Sequence, residues 1–240
     1  MSRTSAALAP AAKRMSVADR IVDEYGPDCL LVAEAPDIFG GSTIIGARDH
    51  SRNGRNFVVS GTAPTLNSAD TDFGGRPSLS FSGGHLATTA TFSDGDFTTI
   101  IVFRDASVTG TYEVLFDYNY ANNGWWGRDN ADANEWTAGI IEPAGPYGQI
   151  VTATDNVRPH VGVLRRSVTT HTVWVDGAQA ASKAGSGTAT TAATLKVGGG
   201  ASGGNYGGKI ALCSRWASAL SDAQLVSITS ILRAWYGTAG

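Results

Sequence analysis

Residues 117–130 read DYNYANNGWWGRDN, a concentration of aromatic, amide and guanidinium side chains that suits the binding of a sugar. Flat rings stack on the axial C–H groups of a pyranose, while amides, carboxylates and arginines take its hydroxyls. Tyr118, Tyr120, Asn123, Trp125, Trp126 and Arg128 are therefore candidate contacts for a glycan or another partner. Trp125 and Trp126 are adjacent, so on a strand they face opposite ways. The competing expectation is that one packs inward while the other rests against a loop or a neighbouring subunit.

The stretch that follows, RDNADANEW, places the oxygen-bearing Asn130, Asp132 and Asn134 at alternate positions, as a calcium loop does. Glu135 stands where such a loop needs a glycine, so the simpler reading is a polar loop without metal, and the three residues are kept as calcium candidates. No other cofactor is implied. His50, His85, His160 and His171 are isolated from one another in sequence. No nucleophile motif of the G-x-S-x-G type occurs, and no catalytic residue is assigned.

The elements that must position these residues are short strands. Runs such as CLLVA, NFVVSG, PSLSF, HVGVLRR, HTVWVD and KIALCSRW alternate with clusters of Gly, Asn, Asp and Ser, the spacing of a sandwich or barrel. In TYEVLFDY, alternation predicts Tyr112, Val114, Phe116 and Tyr118 on one face and Glu113 and Asp117 on the other, a half-buried strand. FTTIIVFR is apolar on both faces and should be central, covered on each side. Asp176-Gly177 after HTVWV predicts a tight hairpin, and the glycine tract at 198–208 reads as too flexible for regular structure.

Two helices punctuate the chain. Ser16 to Tyr25 begins Ser-x-x-Asp, carries Val17, Ile21, Val22 and Tyr25 at helical spacing, and stops at Gly26-Pro27, which predicts a short amphipathic lid. Near the end, Ser221 and Gln224 form a capping box, Leu220 and Leu225 a hydrophobic staple, and Gly237 a stop. Leu225, Ile228, Ile231, Leu232 and Trp235 fall on one face, which must lie on something apolar.

At 240 residues the chain suits one large β domain that buries roughly 70% of its unfolded surface. Thirty glycines and eight prolines, with 16% charged and 42% hydrophobic residues, describe a turn-rich globular protein. A net charge of −3 gives no basic field, so nucleic acid is not an expected partner. No run reaches the ~18 apolar residues of a membrane span, and Pro10, Lys13 and Arg14 interrupt the apolar core a signal peptide would need. Cys29 and Cys213 fall in candidate first and last strands, where a bridge is conceivable but reduced buried thiols are the simpler expectation. Residues 1–15 are rich in Ala and Ser and hold Arg3, Lys13 and Arg14 with no acid, the composition of a flexible docking arm. The expected division is an arm and short helix over 1–28 and one domain over 29–240.

Several stretches fall into a familiar order. GGRPSLSFSGGHLAT, FTTIIVFR, RPHVGVLRRSVTTHTVWVDGAQ and GGKIALCSRWASALSDAQL resemble the laminin-G-like, concanavalin A-like jelly-roll domains, over roughly residues 29–237. The resemblance implies an all-β fold: an antiparallel β-sandwich with a short N-terminal helix and a C-terminal helix, the latter covering an apolar edge or end. Glucanases of this fold carry two glutamates flanking an aspartate on one strand, and Glu113, Glu135 and Glu142 lack that spacing. An enzyme is therefore not expected.

Such domains include lectins, adhesion modules and tailed-phage surface proteins, and fold alone does not choose among them. The expectation is a non-enzymatic structural virion protein of a tailed bacteriophage, a head decoration or fibre-like protein made in the bacterial host cytoplasm and displayed on the virion surface. Its partners would be other virion proteins, further copies of itself in a homo-oligomer, and host-surface polysaccharide, with no membrane insertion. The alternative is a carbohydrate-binding module or adhesin of a bacterial surface protein.

Overall fold

A computed structural model of the chain describes residues 15–34, 38–40, 43–92, 95–105, 113–117, 124–128, 135–140, 148–153, 158–167, 170–185, 192–200 and 204–238; within 124–128, 135–140 and 148–153 it describes side chains only at 126, 127, 136 and 138. The chain opens with helix α1 (Val17–Tyr25), followed by β1 (Cys29–Val32), β2 (Ile38–Phe39), β3 (Gly46–Ala47), β4 (Phe57–Gly61) and β5 (Thr65–Asp70). Then come β6 (Arg76–Ser80), β7 (Gly84–Phe92), β8 (Phe97–Arg104), β9 (Glu113–Asp117), β10 (Gly124–Arg128) and β11 (Glu135–Ile140). The remainder is β12 (Gly148–Ala153), β13 (His160–Ser167), β14 (Thr170–Val175), β15 (Ala178–Ala184), β16 (Ala193–Val197), β17 (Lys209–Trp216) and helix α2 (Asp222–Tyr236).

These strands make two antiparallel sheets that face each other as a jelly-roll sandwich. One sheet runs β15-β14-β13-β8-β17-β6-β5, with β1 also paired to β17, and the other runs β12-β11-β10-β9-β16-β7-β4-β3-β2. First and last strands meet: Leu31 of β1 stands opposite Cys213 of β17. Cys29 and Cys213 are buried free thiols whose pKa values burial pushes up.

β8 is central and apolar on both faces, as its sequence predicts. Phe97, Ile101 and Phe103 enter the core between the sheets, whereas Ile100 and Val102 face outward into a second apolar cluster. β13 alternates the same way, with Leu164 inward and Val161 and Val163 outward. The outward cluster is covered by α1 and α2. The terminal helix therefore lies on an outer sheet face and not over an edge or end, because β8, β13 and β17 present an apolar outer surface that only a layer can cover.

Local signals start and stop both helices. Ser16 accepts the Asp19 N–H at 3.0 Å, and Gly26 ends α1 in the left-handed region. In α2 the Ser221 hydroxyl accepts the Gln224 N–H at 3.3 Å while Gln224 Oε1 accepts the Ser221 N–H at 2.9 Å. The sheet then fixes where α2 begins: Thr98 Oγ1 accepts the Leu220 N–H at 2.9 Å, and Arg165 donates to Leu220 O and Asp222. At the other end Arg233 donates to Asp176 O at 3.0 Å. The buried stripe is Leu225, Ile228, Thr229, Leu232 and Tyr236. Ile231 and Trp235, expected on that stripe, lie half-buried at its margin, while Thr229 is accommodated by donating its hydroxyl to Leu225 O at 2.7 Å.

Asp176 and Gly177, at φ 52° and 87°, form the two-residue hairpin between β14 and β15. The Asp176 carboxylate accepts from His160 Nδ1 at 2.8 Å and from the Val161 N–H at 2.9 Å, so this buried histidine anchors a turn. The 198–208 tract departs from expectation. Tyr206 is fully buried, donates to Arg104 O at 2.7 Å, and its own N–H bonds to Gly198 O at 3.0 Å, so an aromatic anchor ties the described part of this glycine-rich connection into the core.

Candidate functional site

The strand that carries Glu113 does not alternate simply. Its pairing with β10 sets Trp126 opposite Phe116 and Gly127 opposite Val114, skipping Leu115. Leu115 and Phe116 both enter the inter-sheet core, and Val114 and Asp117 both approach Gly200 on the outside. A β-bulge is the cause: one extra residue reverses the facing of everything beyond it. Glu113 and Asp117 therefore do not share a face, and β9 is buried on both sides instead of one. Glu113 accepts a backbone hydrogen bond from Gly207, and burial pushes its carboxyl pKa up to about 7.

Trp126 is fully buried, with its ring edge-on to Phe103 and Phe116 at centroid distances of 6.0 and 6.3 Å. It is a core residue and is not available to a ligand, which corrects the expectation of contact at this position. Tyr118, Tyr120 and Asn123 belong to the β9–β10 connection and lie outside the described residues, as do the side chains of Trp125 and Arg128. Asn130, Asp132 and Asn134 in the β10–β11 connection, and Arg3, Lys13 and Arg14 in the arm, lie outside them too. Strand β10 separates the two connections, so the quoted aromatic stretch is divided between the two ends of one strand. Among the described residues no three His, Cys, Asp or Glu side chains are grouped as metal ligands, and no helix is long and apolar enough to cross a membrane.

The register instead assembles a row of residues across the second sheet. Val58 pairs with Ala87, Ala87 with Lys196, Lys196 with Asp117, Asp117 with Trp125, and Trp125 with Gly139. Residues from β4, β7, β16, β9, β10 and β11 thus meet at one level of the sheet. At Asp117 the row is covered by Gly200, and toward β4 it opens: Val58, Ser60 and Thr89 are exposed, and His85, Ala87, Thr194 and Lys196 are half-buried. Ser60 stands opposite His85 on the neighbouring strand. Burial, and then the charge of Lys196, lower the His85 pKa, so its imidazole is neutral at pH 7.

A neutral imidazole, an ammonium group and several hydroxyls on a flat strand surface can exchange hydrogen bonds with a polar, uncharged ligand. Sequence reasoning did not find this group. His85 and Lys196 are far apart in the chain, and only the β7–β16 pairing brings them together. The one local sign was the period-2 pattern of GHLATTATF, where Leu86, Thr88 and Phe92 are buried and His85 and Thr89 are not.

No family model and no curated protein matches the sequence. Among solved structures, the binding domain of botulinum neurotoxin DC in complex with rat synaptotagmin II superposes with a TM-score of 0.65 at 13% identity, over 88% of this chain and 52% of that one. A structure of botulinum neurotoxin type C, a toxin whose cell entry is dependent upon interaction with two ganglioside molecules, gives 0.63 at 12% identity, over 89% and 52%. Trypanosoma rangeli sialidase in complex with the inhibitor DANA gives 0.58 at 13% identity, over 85% and 32%. The chain spans about half the length of the toxin binding domains it resembles. At these identities the likeness is one of fold, the jelly-roll sandwich.

Proposed function

We propose that the chain is a non-enzymatic, lectin-like module whose uncovered sheet face contacts a polysaccharide, and that it serves as a head decoration or fibre-like protein on the virion of a tailed bacteriophage. The observation that carries the binding part is the asymmetry of the sandwich. Two helices cover the outer face of one sheet, while among the described residues His85, Lys196, Ser60 and Thr89 present polar, partly or fully exposed side chains on β4, β7 and β16 of the other. Sugar hydroxyls are the ligand chemistry such a face suits, because neutral donors and acceptors outnumber charges there.

The non-enzymatic part is supported by where the acids sit. Glu113 is buried and accepts the Gly207 N–H, and Asp70 and Asp72 are held in ion pairs with Lys209, Nζ to Oδ2 at 3.0 and 2.7 Å. The virion part is supported by the resemblance to phage laminin-G-like domains and by the arm of residues 1–15, whose cations Arg3, Lys13 and Arg14 would meet an acidic shell surface. Repetition on a symmetric particle would turn weak sugar contacts into avid ones. On this reading the protein is made in the bacterial cytoplasm and displayed on the particle.

Mass spectrometry of purified particles, with a glycan array probed by the purified chain, tests both parts. Presence in particles together with glycan binding is the expected result. Glycan binding by a chain absent from particles would favour a bacterial carbohydrate-binding module or adhesin, and absence of both would overturn the reading.

A further inference from the structure

The row that joins Ala87 to Lys196 also continues the other way, to the edge of the sheet, and there it is apolar. Val58 pairs with Gly46 and Gly46 with Phe39, so Phe39, Gly46, Val58 and Ala87 stand in line across β2, β3, β4 and β7. Their chain neighbours Ile38, Ala47, Phe57 and Leu86 pack in the inter-sheet core. Strand alternation therefore turns Phe39, Val58 and Ala87 to the opposite, outward side. Gly46 links them. A Cβ there would stand 2.4 Å from Phe57 O and 3.5 Å from Phe39 Cδ2, so the Phe39 ring reaches the place where a side chain at Gly46 would begin, across from Val58.

This stripe is accessible: Val58 is 47% exposed, and Phe39 and Ala87 are half-buried. At about 4.8 Å per strand it runs roughly 14 Å. Polar residues flank it along the strands, with Ser60 and His85 two residues away on one side and Thr89 two residues away on the other. An apolar stripe between polar rows fits a sugar, whose C–H groups lie on the face of the ring and whose hydroxyls lie at its rim. The stripe is also longer than the C–H face of one ring. An unsubstituted hexose would set a hydroxyl or hydroxymethyl group over Phe39 or Val58, where it loses water and gains no partner. A methyl group in that place buries apolar surface instead.

We propose that Phe39, Val58 and Ala87 form an apolar subsite for a methyl-bearing sugar. The methyl of a 6-deoxyhexose or of an N-acetyl group sits on Phe39 and Val58, and the neighbouring hydroxyls meet Ser60 and His85. This rests on the lectin-like reading above and names the class of sugar that the face selects.

The test is a glycan array probed with the full wild-type chain and with Phe39→Ala and Val58→Ser, each verified as folded by near-ultraviolet circular dichroism. The array includes polymers bearing two matched pairs of sugars. L-rhamnose and L-mannose differ only by a methyl in place of a hydroxymethyl group, and N-acetyl-D-glucosamine and D-glucose by an acetamido group in place of a hydroxyl. Wild type should bind the methyl-bearing member of at least one pair about 3–10-fold more tightly, and the pair that shows this identifies the source of the methyl. Both variants should lose that preference while keeping the weaker binding common to the pair. Val58→Ser changes an exposed position, so it decides the matter even where Phe39→Ala does not fold. Equal binding within both pairs, binding confined to glycans without a methyl, or a preference that survives Val58→Ser would overturn the subsite and leave the lectin-like reading standing. A folded wild type that binds no glycan would overturn both.

Discussion

The indole of Trp126 lies over Gly162 of the opposite sheet so closely that a methyl group at Gly162 would stand 2.4 Å from Cη2. The absence of a side chain on β13 is what lets a tryptophan from β10 fill the inter-sheet space. Gly162→Ala should cost about 1–3 kcal/mol in urea unfolding, as overpacking does. In a Trp126→Phe background the added cost should shrink, since neighbours that share space are not additive. Equal costs in both backgrounds would show that the ring does not occupy that space.

α2 should be held by its packing, with its cap as a smaller term. An isolated helix of this length is marginal in water, so the buried Leu232 matters more than the exposed Ser221. Ser221→Ala should cost about 1 kcal/mol and Leu232→Ala about 2–5 kcal/mol by denaturant unfolding. A Leu232→Ala cost within ~0.5 kcal/mol of zero would contradict the burial seen here.

These elements show which features were legible in the chain and which were not. The capping box of α2, the Asp176-Gly177 hairpin and the two-faced β8 each rest on residues adjacent in sequence, so local chemistry is sufficient to read them. The bulge at Leu115 is a property of pairing between two strands, and it decides that Trp126 is core and that Glu113 and Asp117 part company. Helical spacing allowed either Ile231 and Trp235 or Thr229 and Tyr236 on the buried stripe, and the positions of α1 and the sheet chose the second pair. Of the candidate site, the aromatic residues were visible as a string, but the row across the sheet exists only through registers between β4, β7, β16 and β9.

Glu113 should make stability fall as pH rises. Its carboxyl is raised from 4.5 to about 7 by burial. Below pH 4.5 it is protonated in both states. Between 4.5 and 7 the unfolded chain ionises first, so the native state loses up to about 3 kcal/mol at ~1.36 kcal/mol per pKa unit, and above 7 the loss is complete. Glu113→Gln keeps an acceptor for the Gly207 N–H and removes the charge, so it should flatten the melting profile over this window and exceed wild type at pH 8.

Asp176 acts in the opposite direction. Burial opposes ionisation, but the hydrogen bonds from His160 and the Val161 N–H outweigh it and hold the carboxyl below its usual 3.8. The stability this confers is present above that value and is lost as pH falls through the lowered one. Asp176→Asn should therefore destabilise at pH 6 and converge with wild type in strong acid, as thermal melts across pH would reveal. A constant difference at every pH would mean that the turn geometry, and not the charge, is what Asp176 contributes.

The open sheet face carries the remaining prediction, and its two charged or titratable groups can be separated. Burial and the Lys196 charge both lower the His85 pKa, so Lys196→Gln removes the second cause and leaves the first. The His85 titration, followed by NMR, should move up toward 6.5 without reaching it; no movement would show that the two side chains do not face each other. Both residues are half-buried on the outer side of their strands, so His85→Ala and Lys196→Gln should leave unfolding within about 0.5 kcal/mol of wild type. If this face is the ligand surface, both should nonetheless weaken glycan binding. Val226→Ser, on the exposed side of α2 at 50% exposure, lies on the opposite outer layer and should leave binding unchanged. Loss of binding in Val226→Ser with none in His85→Ala would move the contact surface to the helices.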